Sequence, residues 1–596
     1  MVRRVIFVLV PFYIAVLSAI FWISRLNQSA GEIQERNVSQ KLTPVQVQIP
    51  SVQFTEIAEA SGIQFHHTCG AYGGLYLPEA VGPGVGFLDY DNDGDQDVVI
   101  VNSSHWPFHE SSKGPNQPTH AFFRNDGTGQ FSDVTAAVGL DFTSYGLGVC
   151  CGDINNDGFI DLYITGYDGN FLLLNEDGKR FKDITKEAGV TVGKLSSGAA
   201  FLDYDGDGWL DLFVGNYAKW SPEIEEEIDQ TQNDAKEFYR SPMDFDGDFC
   251  VLFRNRDGTH FEDVSASAGI LAVDFNGQPR AKSLGVAVCD YDLDGWPDIA
   301  VANDGMADFL FRNNGNGTFR EVAFEAGTAI SSLGKARAGM GIAWADYRND
   351  NSIGLMVTNF SNELAGLNLA PAEHKEFFID VTTLDGIGKA TRPPVSWGVC
   401  FFDYDLDGRL DIYVANGHLS PLYENFTSIP HAQPALLFWN GGPNPRGFFW
   451  NVTDEYAGLD LFKPIVGRGA AYADIDGDGD LDLLVGSNMG RSYLYRNEGA
   501  TGNHYLRVKL EGRKSNRSAI GARVRLLSGD TWQRREVTSG SSYLSQNELI
   551  LTFGLGKAVE ADVLEVVWPS GRIDRLENIS ASQTLHLVEG ESLTEK

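Results

Sequence analysis

The sequence is short of positive charge, of cysteine and of catalytic signatures, and each shortage closes off a class of function. Lys and Arg number 46 against 81 Asp and Glu, a formal net charge of −35. Nucleic acid is excluded as a partner, because phosphate binding wants clustered Lys and Arg. Six cysteines fit an oxidising compartment without dictating a bridge. Cys150, Cys151, Cys289 and Cys400 lie just before an acidic loop, on expected buried strands where a thiol acts as a small hydrophobe. Cys69 and Cys250 are the better candidates for a disulfide. No nucleophile elbow, no His-Glu-x-x-His pair and no isolated acid/base pair stands out. An acidic chain can be disordered, but 37 Phe, 21 Tyr and 11 Trp argue against it. The carboxylates therefore face cations or solvent, and their positions decide which.

What is present is a repeat. Asp89-Tyr-Asp91-Asn-Asp93-Gly94-Asp95-Gln-Asp97 recurs from Asp153, Asp203, Asp290, Asp403 and Asp474. Side-chain oxygens hold positions 1, 3, 5 and 9, and Gly holds position 6. Ca2+ takes six to eight hard oxygens at about 2.3–2.6 Å, and a tight turn with Gly at its bend aims such oxygens inward. The expected metal ligands are Asp89, Asp91, Asp93, Asp95 and Asp97; Asp153, Asn155, Asp157 and Asp161; Asp203, Asp205, Asp207 and Asp211; Asp290, Asp292, Asp294 and Asp298; Asp403, Asp405, Asp407 and Asp411; and Asp474, Asp476, Asp478 and Asp482. That makes about six calcium sites. A seventh copy, from Asp346, carries Arg348 at position 3 and Gly354 at position 9; it reads as metal-free, with Arg348 standing in for the cation. An EF-hand needs Glu at position 12 and flanking helices. Position 12 here is Ile100, Ile164, Val214, Val301, Val414 or Val485, and the β-branched and aromatic flanks make these hairpin loops.

A second motif follows, as in Phe123-Arg-Asn-Asp-Gly-Thr-Gly-Gln-Phe131-Ser-Asp-Val-Thr135, which reads as strand, turn and strand. Each unit then supplies four strands, and seven such units specify a seven-bladed β-propeller over 51–500. Outer strands start at Phe54, Phe131, Phe181, Phe261, Phe319, Phe378 and Phe449. The last loop has none after it and Phe54 has no loop before it, so Phe54 should close the ring and remove its edge.

The loops resemble the FG-GAP/VCBS repeats of integrin α-chain propellers. Residues 51–590 resemble the cartilage acidic protein family, in which such a propeller precedes an ASPIC/UnbV domain. The second half of that likeness is Ser515–Val524, Gly540–Asn547, Phe553–Gly556 and Val567–Gly571. The resemblance implies calcium binding and extracellular or cell-surface interaction, without an agreed chemical activity.

Residues 503–590 turn to short alternating runs, a small β-sandwich or barrel. Its first half is basic, at Arg507, Arg513, Arg517, Arg523, Arg525, Arg534 and Arg535; these are solvated strand faces, a dock on the acidic propeller, or an anionic-glycan site. At the other terminus, Arg3 and Arg4 precede an apolar run from Val5 to Ser24. This is a signal anchor or cleaved signal over 1–25, followed by a tether over 26–50, and it places the body in the periplasm, at the cell surface or in secretion. The membrane is met only there.

Three long insertions, near 103–120, 216–250 and 416–436, should crowd the end opposite the Asp loops. They carry His105, Trp106, His109, His120, Trp220, Tyr423, Phe426 and His431 beside the acidic run Glu223–Asp229. These residues either recognise a partner or pack the insertions down. The sequence points to a calcium-binding, adhesion-like module for a protein or glycan. The alternative is a polysaccharide lyase or hydrolase working on the insertion face, since fold alone does not separate the two.

Overall fold

The computed structural model describes residues 48–591, apart from 168, 233–237, 445–446 and 500–501. The expected anchor lies outside the described residues, among which no helix is long and apolar enough to cross a membrane. The described chain is all-β, with many four-stranded antiparallel sheets of the kind that build β-propellers. In the first sheet, Val85–Leu88 runs into the Asp loop and Asp97–Ile100 runs out. Ala121–Asn125 and Phe131–Asp133 complete it. The other sheets open with Tyr145–Gly152, Ser196–Leu202, Ser283–Cys289, Ile342–Ala345, Ser396–Phe402 and Gly467–Ala473. The last sheet takes its fourth strand from the front of the chain: Phe54 pairs with Asn497 and Glu56 with Tyr495, as the strand count requires.

Glycines set how closely the inner strands meet. A Cβ on Gly341 would stand 2.1 Å from the carbonyl oxygen of Trp397, in the next sheet. One on Gly469 would stand 2.8 Å from that of Pro83, joining the last sheet to the first. Gly198, Gly285 and Gly398 meet their following sheets in the same way. A side chain at these points would wedge neighbouring backbones apart. Between sheets lie apolar layers, such as Phe87, Val98 and Phe123 against Ala471 and Leu484.

The C-terminal segment forms two further sheets. Arg523–Ser528, Thr531–Glu536, Glu560–Val567 and Ile573–Ser580 make one. His504–Glu511, Leu551–Gly556 and Gln583–Val588 make the other. Val508, Leu526, Phe553 and Trp568 share one buried cluster with Leu210 and Phe201 of the third sheet, so this segment packs on the Asp-loop end.

From there, residues 539–547 enter the ring. Gln546 accepts from Phe87 N at 3.0 Å and donates to Val85 O at 3.0 Å. Leu544 O accepts from Val149 N at 3.1 Å, and Ser542 O from Ile342 N at 2.8 Å. Ser542 Oγ accepts from Val399 N at 2.9 Å, Ser539 Oγ from Phe201 N at 3.3 Å and Asn547 Oδ1 from Tyr472 N at 3.1 Å. The inner strand of a sheet has an unpaired edge, and backbone groups buried there need partners. This plug supplies them in every sheet but the fourth.

All six cysteines are free and buried. Cys69 and Cys250, the better candidates for a bridge, therefore form none. Cys250 is packed among Phe213, Leu252 and Ile270 between the third and fourth sheets, and burial pushes its thiol up to about 12. Cys150, Cys151, Cys289 and Cys400 lie on buried inner strands, as expected.

Candidate metal loops and the insertion face

Each Asp loop joins two strands, and its first carboxylate folds it. Asp203 accepts from Gly206, Asp207 and Gly208 N at 2.9, 3.1 and 3.0 Å. Gly208, at position 6, has φ of +89°, a left-handed bend that glycine adopts freely. Among the described residues, oxygens converge within 4.8 Å in five groups: Asp89, Asp91, Asp97; Asp203, Asp205, Asp211; Asp290, Asp292, Asp294; Asp403, Asp405, Asp411; and Asp474, Asp476, Asp482. Asp93, Asp95, Asp207, Asp298, Asp407 and Asp478 stand outside these closest groups. In the second loop, Asp153 and Asn155 oxygens both accept from Asp157 N at 3.1 Å, so Asn155 keeps the frame, with Asp161 at position 9.

These groups can hold a metal ion. Oxygens Oδ1 of Asp89, Asp91, Asp205 and Asp476 are buried without a hydrogen-bond partner, the condition a hard cation relieves. Burial, with neighbouring carboxylates adding to it, pushes Asp97 up to about 8 and Asp203 up to about 7.

Position 9 does a second job that the sequence did not disclose. Asp97 accepts from Asn125 N at 2.9 Å and Tyr90 N at 3.1 Å. Asn125 in turn donates to Gln96 O and, at 2.8 Å, to Ile475 O of the neighbouring sheet. Asn175, Asn255, Asn313, Asn440 and Asn497 reach Tyr90, Ile154, Tyr204, Tyr347 and Tyr404 O likewise. The Asn that closes the third strand of each of these six sheets is thus a latch to the preceding sheet, and its six-fold recurrence was the available signal.

The seventh copy departs from expectation. Arg348 does not replace the cation; it turns out of the loop to Asp385 at 2.7 Å and stacks over Phe448. Gly354 at position 9 makes room for the Tyr347 ring, which a Cβ there would meet at 2.5 Å. The positive charge near Asp346 comes from Arg534 and Arg535 of the C-terminal segment.

That segment's basic residues dock on the acidic end. Lys509 pairs with Asp89 at 3.0 Å, Arg507 with Asp474 at 2.8 Å, and Arg523 with Asp290. Arg517 N donates to Asn156 Oδ1 at 2.7 Å. Arg513 and Arg525 instead pair locally with Glu511 and Glu565.

At the other end the three insertions meet. Trp106 and Trp220 centroids lie 5.4 Å apart, and Phe238 contacts both Tyr423 and Phe426. Trp106, Trp220 and His120 are buried packing residues. His105, His109, Tyr423 and His431 are half-buried, while Phe108 and Phe426 stand exposed. A cavity of about 340 Å³ opens on this face, lined by Tyr217, Tyr239, Phe360, Trp397 and Tyr423.

A family model described as FG-GAP-like repeat matches residues 89–164, 153–214 and 290–355, and one described as ASPIC and UnbV matches 512–594. Cartilage acidic protein 1 of Xenopus tropicalis is 29% identical over 288 residues, 46% of this chain and 40% of that protein. The Homo sapiens protein of the same name is 29% identical over 317 residues, 52% and 43% of the two chains. The chain thus spans less than half the length of these curated relatives. A solved Agrocybe aegerita lectin that recognises non-reducing terminal N-acetylglucosamine is 16% identical with a TM-score of 0.34, covering 63% of this chain and 87% of its own. The chain carries FG-GAP-like repeats and a C-terminal ASPIC and UnbV domain, and is similar to cartilage acidic protein 1.

Proposed function

We propose that the chain is an exported, calcium-stapled seven-bladed propeller that serves as a non-enzymatic, adhesion-like module, taking a protein or glycan partner on its insertion face. The observation that carries this is the division of the two ends. The C-terminal segment covers the Asp loops and plugs the channel from that side, as in the bonds from Ser542 to Val399 and Ile342. The opposite end is left with exposed Phe108 and Phe426 and an aromatic-lined cavity. Large apolar side chains at a loop-built face are the usual anchors of recognition.

In this view the loop oxygens at positions 1, 3, 5 and 9, Asp89, Asp91, Asp93 and Asp97 in the first, would hold Ca2+. When bound, the ion neutralises carboxylates that otherwise repel one another. The N-terminal apolar run would carry the body across the membrane, and stay as its anchor if uncleaved.

The test presents the exported body to arrays of glycans and extracellular proteins, beside a Phe108→Glu, Phe426→Glu double variant. Saturable binding lost in the variant, with the substrate recovered intact, supports the proposal. Release of oligosaccharide products would sink it in favour of a lyase or hydrolase.

A further inference from the structure

The insertion-face cavity has a chemistry of its own. Its floor is the inner ends of the sheets, at Val81, Leu284, Met340 and Trp397. Beneath it Tyr543 of the plug stacks edge-on to Trp397, 5.0 Å between centroids, and donates to Val81 O at 3.0 Å. The cavity is therefore a closed socket at the mouth of the channel and not a pore. Aromatic side chains form much of its wall, and two carboxylates, Asp304 and Glu363, sit among them.

Each carboxylate is held in place by a neutral donor. Asp304 Oδ2 accepts from Tyr217 OH at 2.5 Å, and Glu363 Oε2 from Ala338 N at 2.9 Å. Lys282 acts on Asp304 through space without pairing with it. Lys282 Nζ donates to Pro242 O at 2.6 Å, and Arg240 pairs with Asp229 at 2.7 Å. Among the described residues, neither Asp304 nor Glu363 forms an ion pair. Burial pushes Asp304 up to about 6, so at neutral pH its charge sits in surroundings that do not favour it.

We infer that this cavity is a socket for a basic side chain, lysine or arginine, presented by a protein partner. The inference rests on the proposal that the insertion face is the partner surface. An aliphatic stem with a cationic head matches a wall that is apolar and aromatic with two fixed anions. Aromatic faces attract cations, and in a partly desolvated socket the attraction to carboxylate is stronger than in water. A neutral sugar meets the opposite difficulty. It needs donors as well as acceptors, and Arg240, the cation in the cavity wall, is already paired with Asp229.

The experiment titrates the intact body with acetyl-Gly-Arg-Gly-amide, acetyl-Gly-Lys-Gly-amide, the norleucine equivalent and methyl β-glucopyranoside, by calorimetry and saturation-transfer NMR. The basic peptides are expected to bind. Asp304→Asn and Glu363→Gln should each weaken them at least tenfold, with melting temperature nearly unchanged. Binding by norleucine as tight as by arginine, or basic-peptide binding indifferent to both variants, overturns the charge assignment. Sugar binding in place of the peptides overturns the ligand class and leaves the insertion face standing as a partner surface. Silence from every probe overturns the socket, and the array test on the Phe108 and Phe426 variant then decides the surface separately.

Discussion

At the scale of single residues, the ring is held by polar groups that also look like surface decoration in the sequence. Asn175 Nδ2 satisfies two buried carbonyls, Tyr90 O at 2.8 Å and Ile160 O at 3.1 Å. Asn175→Ala leaves both without a donor, and each such loss costs about 1–3 kcal/mol. Urea unfolding should therefore show a loss of about 2 kcal/mol or more with its slope preserved. Histidines give a second residue-level prediction. His120 is buried, its Nδ1 accepts from Asn102 N at 3.1 Å, and burial lowers it to about 4 from the ordinary 6.5. The unfolded chain takes up that proton below pH 6.5 while the folded chain does not until about 4. Stability is thus complete above 6.5 and is lost as pH falls through that window, at about 1.4 kcal/mol per unit. His120→Gln keeps an acceptor for Asn102 and should flatten the pH dependence by one proton between pH 6 and 4.5; an unchanged slope would count against a neutral His120. The acidic clusters were legible because their spacing is local. The latch was not, because Asn125 shows its partner Ile475 only after 350 residues of chain have closed the ring.

At the scale of elements, the strands, loops and closing strand follow from counting, since each repeat carries its own hairpin and turn signals. The plug does not. Gly540-Ser-Ser-Tyr-Leu-Ser-Gln-Asn547 has neither strand alternation nor helical periodicity, because its groups are matched one by one to the edges of different sheets. Small residues let it fit: a Cβ on Gly84 would lie 2.0 Å from Leu544 O, and one on Gly540 2.2 Å from Ala199 O. Tyr543 is its deepest side chain, fully buried against Trp397. Tyr543→Ala empties that volume and removes the bond to Val81, a change of about 3–5 kcal/mol for a large aromatic. The expected result is a lower melting temperature together with looser amide protection in Val85–Leu88 and Ser396–Phe402. A variant as stable as the parent would mean that the inner edges are satisfied without the plug.

At the scale of the whole molecule, a net charge of −35 has to be balanced, and two devices share that task unequally. The C-terminal segment places cations on Asp89, Asp290 and Asp474. Among the described residues Asp203 receives none, and its loop relies on Arg254 at the rim, 2.6 Å from Asp205. If Ca2+ is the second device, a site filled at 100 times its dissociation constant adds about 2.7 kcal/mol. Several such sites together rival the about 5–15 kcal/mol by which proteins are usually stable. Excess EDTA should then lower the melting temperature on the order of 10 °C or more. The loss should not be uniform. Hydrogen exchange in EDTA should open Ser196–Asn216 before the first, fourth and seventh sheets, whose first carboxylates keep a protein cation. Asp203→Asn should weaken the EDTA response, because it removes the charge that the ion offsets. Melting indifferent to EDTA would show that the Arg and Lys contacts suffice alone, and the loops would then be turns whose acidity the C-terminal segment answers by itself.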